Sequence, residues 1–154
     1  MKNVIIEKLD AAHARYRIHH HVPVRTVADS LEKLPFPLEN YLTSVVFQIK
    51  NGAWILVGRR GTDRIDYKKL ASVLGARREQ VSTPSPDEVH AALGIEVGTI
   101  SPIPTIEGIH VLLDSHLPPG VGLFAGSGLA GRTLEITLEE VIRVTGGKIV
   151  DIAK

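Results

Sequence analysis

The chain contains no cysteine in its 154 residues. No disulfide framework can form, and no thiolate can act as nucleophile or metal ligand. No apolar run approaches the roughly 20 residues needed to cross a bilayer, so no membrane partner is expected. Glu7, Lys8 and Asp10 interrupt the apolar residues at the N-terminus, and a signal-peptide pattern does not accommodate them. A cytoplasmic location is the expectation. Internal repeats, low-complexity tracts and linkers are also absent. Residues 1–154 therefore read as one domain, long enough to bury a real core. With 44% hydrophobic and 23% charged residues, the composition is that of a soluble globular protein.

Net charge is small, +1, but unevenly spread. Between Arg59 and Arg78 lie seven Arg and Lys against two Asp. Such a patch attracts phosphates without a strongly basic chain, although a solvated loop and helix face has the same composition.

The spacing of Val4, Ile5, Leu9 and Ala12 predicts an opening amphipathic helix. Residues 16–22 read as a strand. Residues 26–34 read as a helix capped by Thr26 and stopped by Pro35 and Pro37. Residues 44–50 and 53–59 flank Asn51-Gly52, the preferred pair for a two-residue type I′ hairpin turn. That turn places Ser44 opposite Arg59 and Phe47 opposite Leu56. Both faces of the hairpin are apolar away from the turn, so both must be covered. Residues 66–74 predict a helix ended by Gly75. Ser85-Pro86-Asp87-Glu88 and Thr137-Leu138-Glu139-Glu140 are capping boxes that open two more helices. Strands are expected at 109–113, 121–125, 132–136 and 148–152. The pattern is α+β, a layered α/β/α sandwich around a mixed, partly antiparallel sheet.

Two glycine-bearing turns stand out. Gly98-Thr99-Ile100-Ser101-Pro102 precedes an apolar strand ending in Asp114, and Ala125-Gly126-Ser127-Gly128 follows it. Glycine allows close backbone approach to a ligand, so the pair suggests a pocket built from main-chain groups. Conventional catalytic sets are missing. His19 and His21 share a strand face but lack an H-E-x-x-H partner pattern. Ser127 lacks the spacing of G-x-S-x-G. The ordinary alternatives are turns for both glycine segments and a main-chain cap for Asp114.

Taken in order, residues 21–28 (His-Val-Pro-Val-Arg-Thr-Val-Ala), the 44–47 strand, 63–71, 98–102, Asp114 and 126–128 resemble the YbaK/EbsC family, the prolyl-tRNA-synthetase-associated editing domain. The resemblance runs from about residue 21 to 152. It implies an aminoacyl-tRNA deacylase that acts in trans, without metal or cofactor, on the ester of mischarged tRNA. An aminoacyl-tRNA synthetase is a second expected partner. By resemblance, Gly98, Ser101 and Asp114 are the catalytic candidates. Thr43, Ser44, Ile100, Pro102, Gly126, Ser127 and Gly128 line the substrate site. From charge, Arg59, Arg60, Lys68, Lys69 and Arg132 are expected to contact tRNA. The substrate's own ribose hydroxyl is implied to help activate the attacking water.

Two positions depart from the family pattern. Thr43 stands where the family usually has lysine, and Ile103-Pro104 follows Pro102 where many relatives have glycine and often histidine. A hydroxyl cannot replace the attraction of a cation for phosphate. Arg59, Arg60 or Arg132 would then substitute for the lysine, or the domain would bind tRNA or a synthetase without catalysis.

Overall fold

The computed structural model describes residues 3–22, 34–95 and 98–154. The helix expected over residues 26–34 falls outside them except for Leu34, as does most of the 21–28 motif. In chain order the elements are α1 (Val4–Ala11), β1 (Tyr16–His20), β2 (Tyr41–Ile49), β3 (Trp54–Arg60), α2 (Tyr67–Leu74), β4 (Val81–Ser82), α3 (Pro86–Leu93), β5 (His110–Asp114), β6 (Gly122–Gly126), β7 (Arg132–Thr137), α4 (Leu138–Thr145) and β8 (Lys148–Val150).

The strands form one mixed sheet in the order β1-β7-β6-β2-β3-β5-β8, with β4 also paired to β2. The β2–β6, β3–β5 and β5–β8 pairs are parallel and the rest antiparallel. Because the strands are apolar on both faces, two separate cores form. On one face Leu42, Val46, Leu56, Leu113, Leu123 and Ile136 pack with Ile5 and Leu9 of α1, Val89 and Leu93 of α3, and Val141 of α4. On the other, Phe47, Ile55, Val57 and Leu112 pack with Leu70 and Ala71 of α2 and with Ile152. Helices thus cover both faces, as the two-sided hydrophobicity of the hairpin requires.

The helix starts follow the sequence signals. Asp66 accepts the Lys68 and Lys69 N–H groups at the head of α2. Ser85 and Glu88 form a reciprocal capping box on α3. On α4 only half of the expected box forms. Thr137 Oγ1 accepts the Glu140 N–H, but the Glu140 carboxylate reaches Arg143 and the Arg15 N–H instead. Those bonds draw its pKa down to about 2.

The hairpin register differs from the sequence expectation by one residue. Ser44 pairs with Gly58, Thr43 with Arg59 and Phe47 with Ile55. The turn has three residues, not two. The Ile49 N–H bonds to Ala53 O, the Gly52 N–H bonds to Ile49 O, and Asn51 but not Gly52 takes a positive φ, 58°. A type I′ turn needs positive φ at both central residues.

Candidate functional site

The two glycine turns meet. A Cβ placed on Gly126 would lie 2.1 Å from the carbonyl oxygen of Ile100 and 2.8 Å from that of Thr99. The Gly128 N–H donates to Thr99 O at 2.8 Å. Only glycine permits this main-chain contact, which packs two segments about 25 residues apart into one continuous surface. Gly98 lies exposed at the loop's entry with φ 90°, a left-handed value that favours glycine. Thr99, Ser101 and Pro102 are buried, and Ile100 is half-buried. Ser101 Oγ accepts the Ile103 N–H at 3.2 Å. Among the described residues, no acceptor takes the Ile100 or Ser101 N–H. Two uncommitted amides in a packed loop are a resource for binding an oxygen.

Helix α1 braces the second turn and the chain just past the first, a role that the sequence did not reveal. Asn3, its cap, donates to Ser127 O at 3.2 Å, and Lys8 Nζ donates to Pro104 O at 2.6 Å. A Cβ on Gly128 would come within 2.8 Å of Ile5 Cδ1. Ser127 itself is 1% exposed, and its hydroxyl donates to Arg132 O at 2.7 Å. That side chain holds the turn closed, and what Ser127 offers a ligand is its main chain.

Strand pairing sets the remaining candidates in a row. The pairs Leu42–Ala125, Thr43–Arg59, Gly58–Leu113 and Asp114–Val150, continued by one residue where needed, align Gly126, Thr43, Arg59 and Asp114 across four neighbouring strands. Thr43 and Arg59 project to the α2 side, alternating with Leu42 and Gly58 on the other. Asp114 stands three strand spacings from Gly126, about 14 Å, so the structure does not bring it against the two-turn crevice. Its side chain is 0% exposed, and its oxygens accept four hydrogen bonds. The Ile152 and Ala153 N–H groups each bond to Oδ1 at 3.0 Å, and the His116 N–H and ring bond to Oδ2. Burial pushes the Asp114 carboxyl upward, but these bonds outweigh it and hold the pKa below the ordinary value. Asp114 latches the C-terminal residues to the sheet. Asp114, His116 and Asp151 bring three ligand-type atoms within 4.8 Å of one another, and the Asp114 oxygens are already committed to this latch.

Thr43 Oγ1 donates to Gly61 O at 2.8 Å. Ser44 Oγ and Arg59 Nε are buried with no partner. Arg59 Nη1 donates to Asp63 O at 2.6 Å, and burial lowers its pKa against the opposing pull of Asp63 and Tyr67. The other expected tRNA contacts are scattered. Arg60 pairs with Asp63 at 3.2 Å, Lys69 with Asp151 at 3.2 Å, Lys68 is exposed on α2, and Arg132 is exposed at the start of β7.

His19 and His21 share one face, as the strand period predicts. His19 Nε2 lies 2.7 Å from Glu135 Oε1 and His21 Nε2 2.6 Å from Thr133 Oγ1. Phe36 stacks on Phe124 with centroids 4.1 Å apart, and His19 meets both rings. Strand alternation could have placed Phe124 beside Gly126, but nothing in the sequence pointed to Phe36 or Glu135.

Residues 21–144 match the model of the aminoacyl-tRNA editing domain. The chain belongs to that family. It is 29% identical over 106 residues to a proline--tRNA ligase of Limosilactobacillus fermentum. That match covers 66% of this chain but 18% of the ligase, so the chain spans less than a fifth of that relative. It is 26% identical over 130 residues to the uncharacterized protein YwhH of Bacillus subtilis, covering 84% of this chain and 81% of YwhH. The crystal structure of hypothetical protein APE2540 superposes with a TM-score of 0.89 at 21% identity, covering 98% of this chain and 99% of that one. A structure described as a candidate trans-editing enzyme for prolyl tRNA synthetase gives 0.82 at 19% identity, covering 100% and 99%. The sandwich is thus the editing-domain fold. The observed register sets Arg59 directly across from Thr43.

Proposed function

We propose that this editing domain hydrolyses the ester linking a wrong amino acid to the 3′-terminal ribose of tRNA, and that main-chain groups position the substrate. The observation that carries the reading is the contact of Gly126 with the Thr99 and Ile100 carbonyls. It joins the two turns into one crevice wall beside the uncommitted Ile100 and Ser101 amides. Water adds to the ester carbonyl, and the negative charge that develops on its oxygen is met by loop N–H groups. Collapse breaks the acyl–oxygen bond. The ribose oxygen leaves with a proton, and the products are a free amino acid and uncharged tRNA. Fixed dipoles of this kind need no reorganisation as charge develops, and orientation of the ester supplies much of the remainder. The substrate's own ribose hydroxyl helps activate the water. Asp114 acts at a distance, by fixing the end of β5.

The partner is a mischarged tRNA, and the likeness to a segment of a proline--tRNA ligase makes tRNA charged by that class of enzyme the first to try. Such a reaction belongs in the cytoplasm. Thr43 in the lysine position supports a second reading, in which the domain binds tRNA or a synthetase without cleaving the ester. A panel of tRNAs charged with alanine, cysteine, serine and other small residues separates the two. The first reading expects release of at least one amino acid, unaffected by chelator and slowed by Gly98→Ala in a folded variant. Binding with no release from any member of the panel leaves the second.

A further inference from the structure

Arg59 is the one site-facing side chain whose charge the protein leaves unanswered among the described residues. No carboxylate lies within ion-pair distance of it. Its single hydrogen bond is to a main-chain carbonyl, Asp63 O, while the Asp63 carboxylate turns to Arg60. Its Nε is buried and unpartnered. A half-buried guanidinium in this condition has lost water without gaining an anion. Arginine cannot relieve that cost by giving up its proton.

The alternatives are disposed differently. Arg60 pairs with Leu42, whose side chain lies in the opposite core, and is bound to Asp63. Arg132 pairs with His20 and alternates with Thr133, so it projects away from the face that carries His19 and Thr133. Arg59 alone of the three stands directly across from Thr43, in a pair whose side chains share a face and begin about 5 Å apart. A cation rooted on either strand reaches the same volume.

We infer that Arg59 supplies, from β3, the cationic contact for the phosphate of the substrate's 3′-terminal nucleotide, in place of a β2 side chain at Thr43. This rests on the editing reading for the identity of the substrate. Phosphate is the anion nearest an aminoacyl ester at an RNA end, and with Nη1 held by Asp63 O and Nε buried, Arg59 has Nη2 to donate to one of its oxygens. Arg59 is a positioning residue: it holds the terminal nucleotide so that the ester falls on the 98–102 loop.

The test uses uncharged RNA, so that binding is judged apart from hydrolysis. The probe is a minihelix ending in single-stranded CCA, compared with one lacking the terminal adenosine nucleotide. Arg59→Ala is expected to weaken binding of the full probe roughly 10- to 100-fold and to reduce the slope of log K against log salt by about 0.7. It should leave binding of the shortened probe unchanged. With charged tRNA, KM should rise more than kcat falls. Thr43→Lys combined with Arg59→Ala should recover most of the loss, which a merely structural arginine would not allow. If Arg59→Ala lowers the melting temperature, Arg59→Gln, which keeps a donor for Asp63 O, replaces it in every comparison. Equal effects on both probes, an unchanged salt slope, or no recovery in the double variant would overturn the inference. Failure of the wild type to cleave any charged tRNA would instead remove the editing reading and leave the binding result standing.

Discussion

Gly126→Ala tests the joint between the two turns. The added Cβ would lie 2.1 Å from Ile100 O, 2.7 Å from Ile100 C and 2.8 Å from Thr99 O. Ordinary non-bonded separation is about 3.5 Å, so the loop must retreat by about 1.4 Å. Main chain stands on both sides, and no side-chain rotation relieves the overlap. Overpacking of this kind costs about 1–3 kcal/mol. At about 2–4 °C per kcal/mol for a chain of this size, the melting temperature should fall by about 2–12 °C. Misplacing the ester-binding loop by more than 1 Å should slow single-turnover deacylation by about 100-fold. Gly122→Ala is the matched control. There the new Cβ would meet only the Glu135 side chain, at 2.5 Å from Oε2 and 3.1 Å from Cγ, which can shift at the expense of its His19 bond where main chain cannot, so the drop should be smaller. If Gly126→Ala melted within about 1 °C of wild type and cleaved at the wild-type rate, the turns would not form a shared wall.

Other outcomes follow from the same geometry. Asp114→Ala orphans the buried Ile152 and Ala153 N–H groups, so urea denaturation at pH 7 should show a loss of about 2–4 kcal/mol; a loss under about 1 kcal/mol would refute the latch. The folded-state pKa of Asp114 is depressed, so the latch is at full strength above the unfolded value of about 3.9 and fades as pH falls through the folded one. The gap in stability between wild type and Asp114→Ala should therefore narrow from about pH 5 downward, and a gap that widened in acid would contradict the assignment. Ser85→Ala breaks the reciprocal box on α3 and should cost about 1 kcal/mol by thermal melting, with deacylation unaffected.

The parts legible in the sequence were those fixed by local chemistry. Ser85 and Thr137 cap helices because their side-chain oxygens reach N–H groups three residues on, a reach that needs no knowledge of the fold. The layering was legible because a hairpin apolar on both faces has to be covered twice. The convergence of 98–102 on 126–128 was anticipated, but what braces it was not. Asn3 reaches the second turn across 124 residues and Lys8 reaches Pro104, just past the first, across 96, and no local pattern encodes such partners. Asp114 was legible as a strand-end acid but not in its use, because its partners Ile152 and Ala153 are main-chain groups of a distant segment.

The hairpin shows why a single residue of register mattered. Asn51-Gly52 is the strongest short hairpin signal, and a two-residue turn there sets Arg59 against Ser44. Hydrophobicity could not arbitrate, because Val45, Val46 and Phe47 oppose apolar residues in either register, so a one-residue slip exchanges one apolar face for another. What decides it comes from outside the hairpin. The Lys50 N–H bonds to Gln80 O, and Gln48 and Ile49 pair with Ser82 and Val81 of β4. Lys50 is thus drawn out as the first of three loop residues, and Ile49 closes on Ala53. The one-residue shift moves Arg59 from a partner on the α1 side of the sheet to Thr43 on the α2 side. The neutral Thr43 and a guanidinium with no carboxylate partner among the described residues then become neighbours on one face. A two-residue sliver of strand, β4, thereby sets which residue stands across from Arg59.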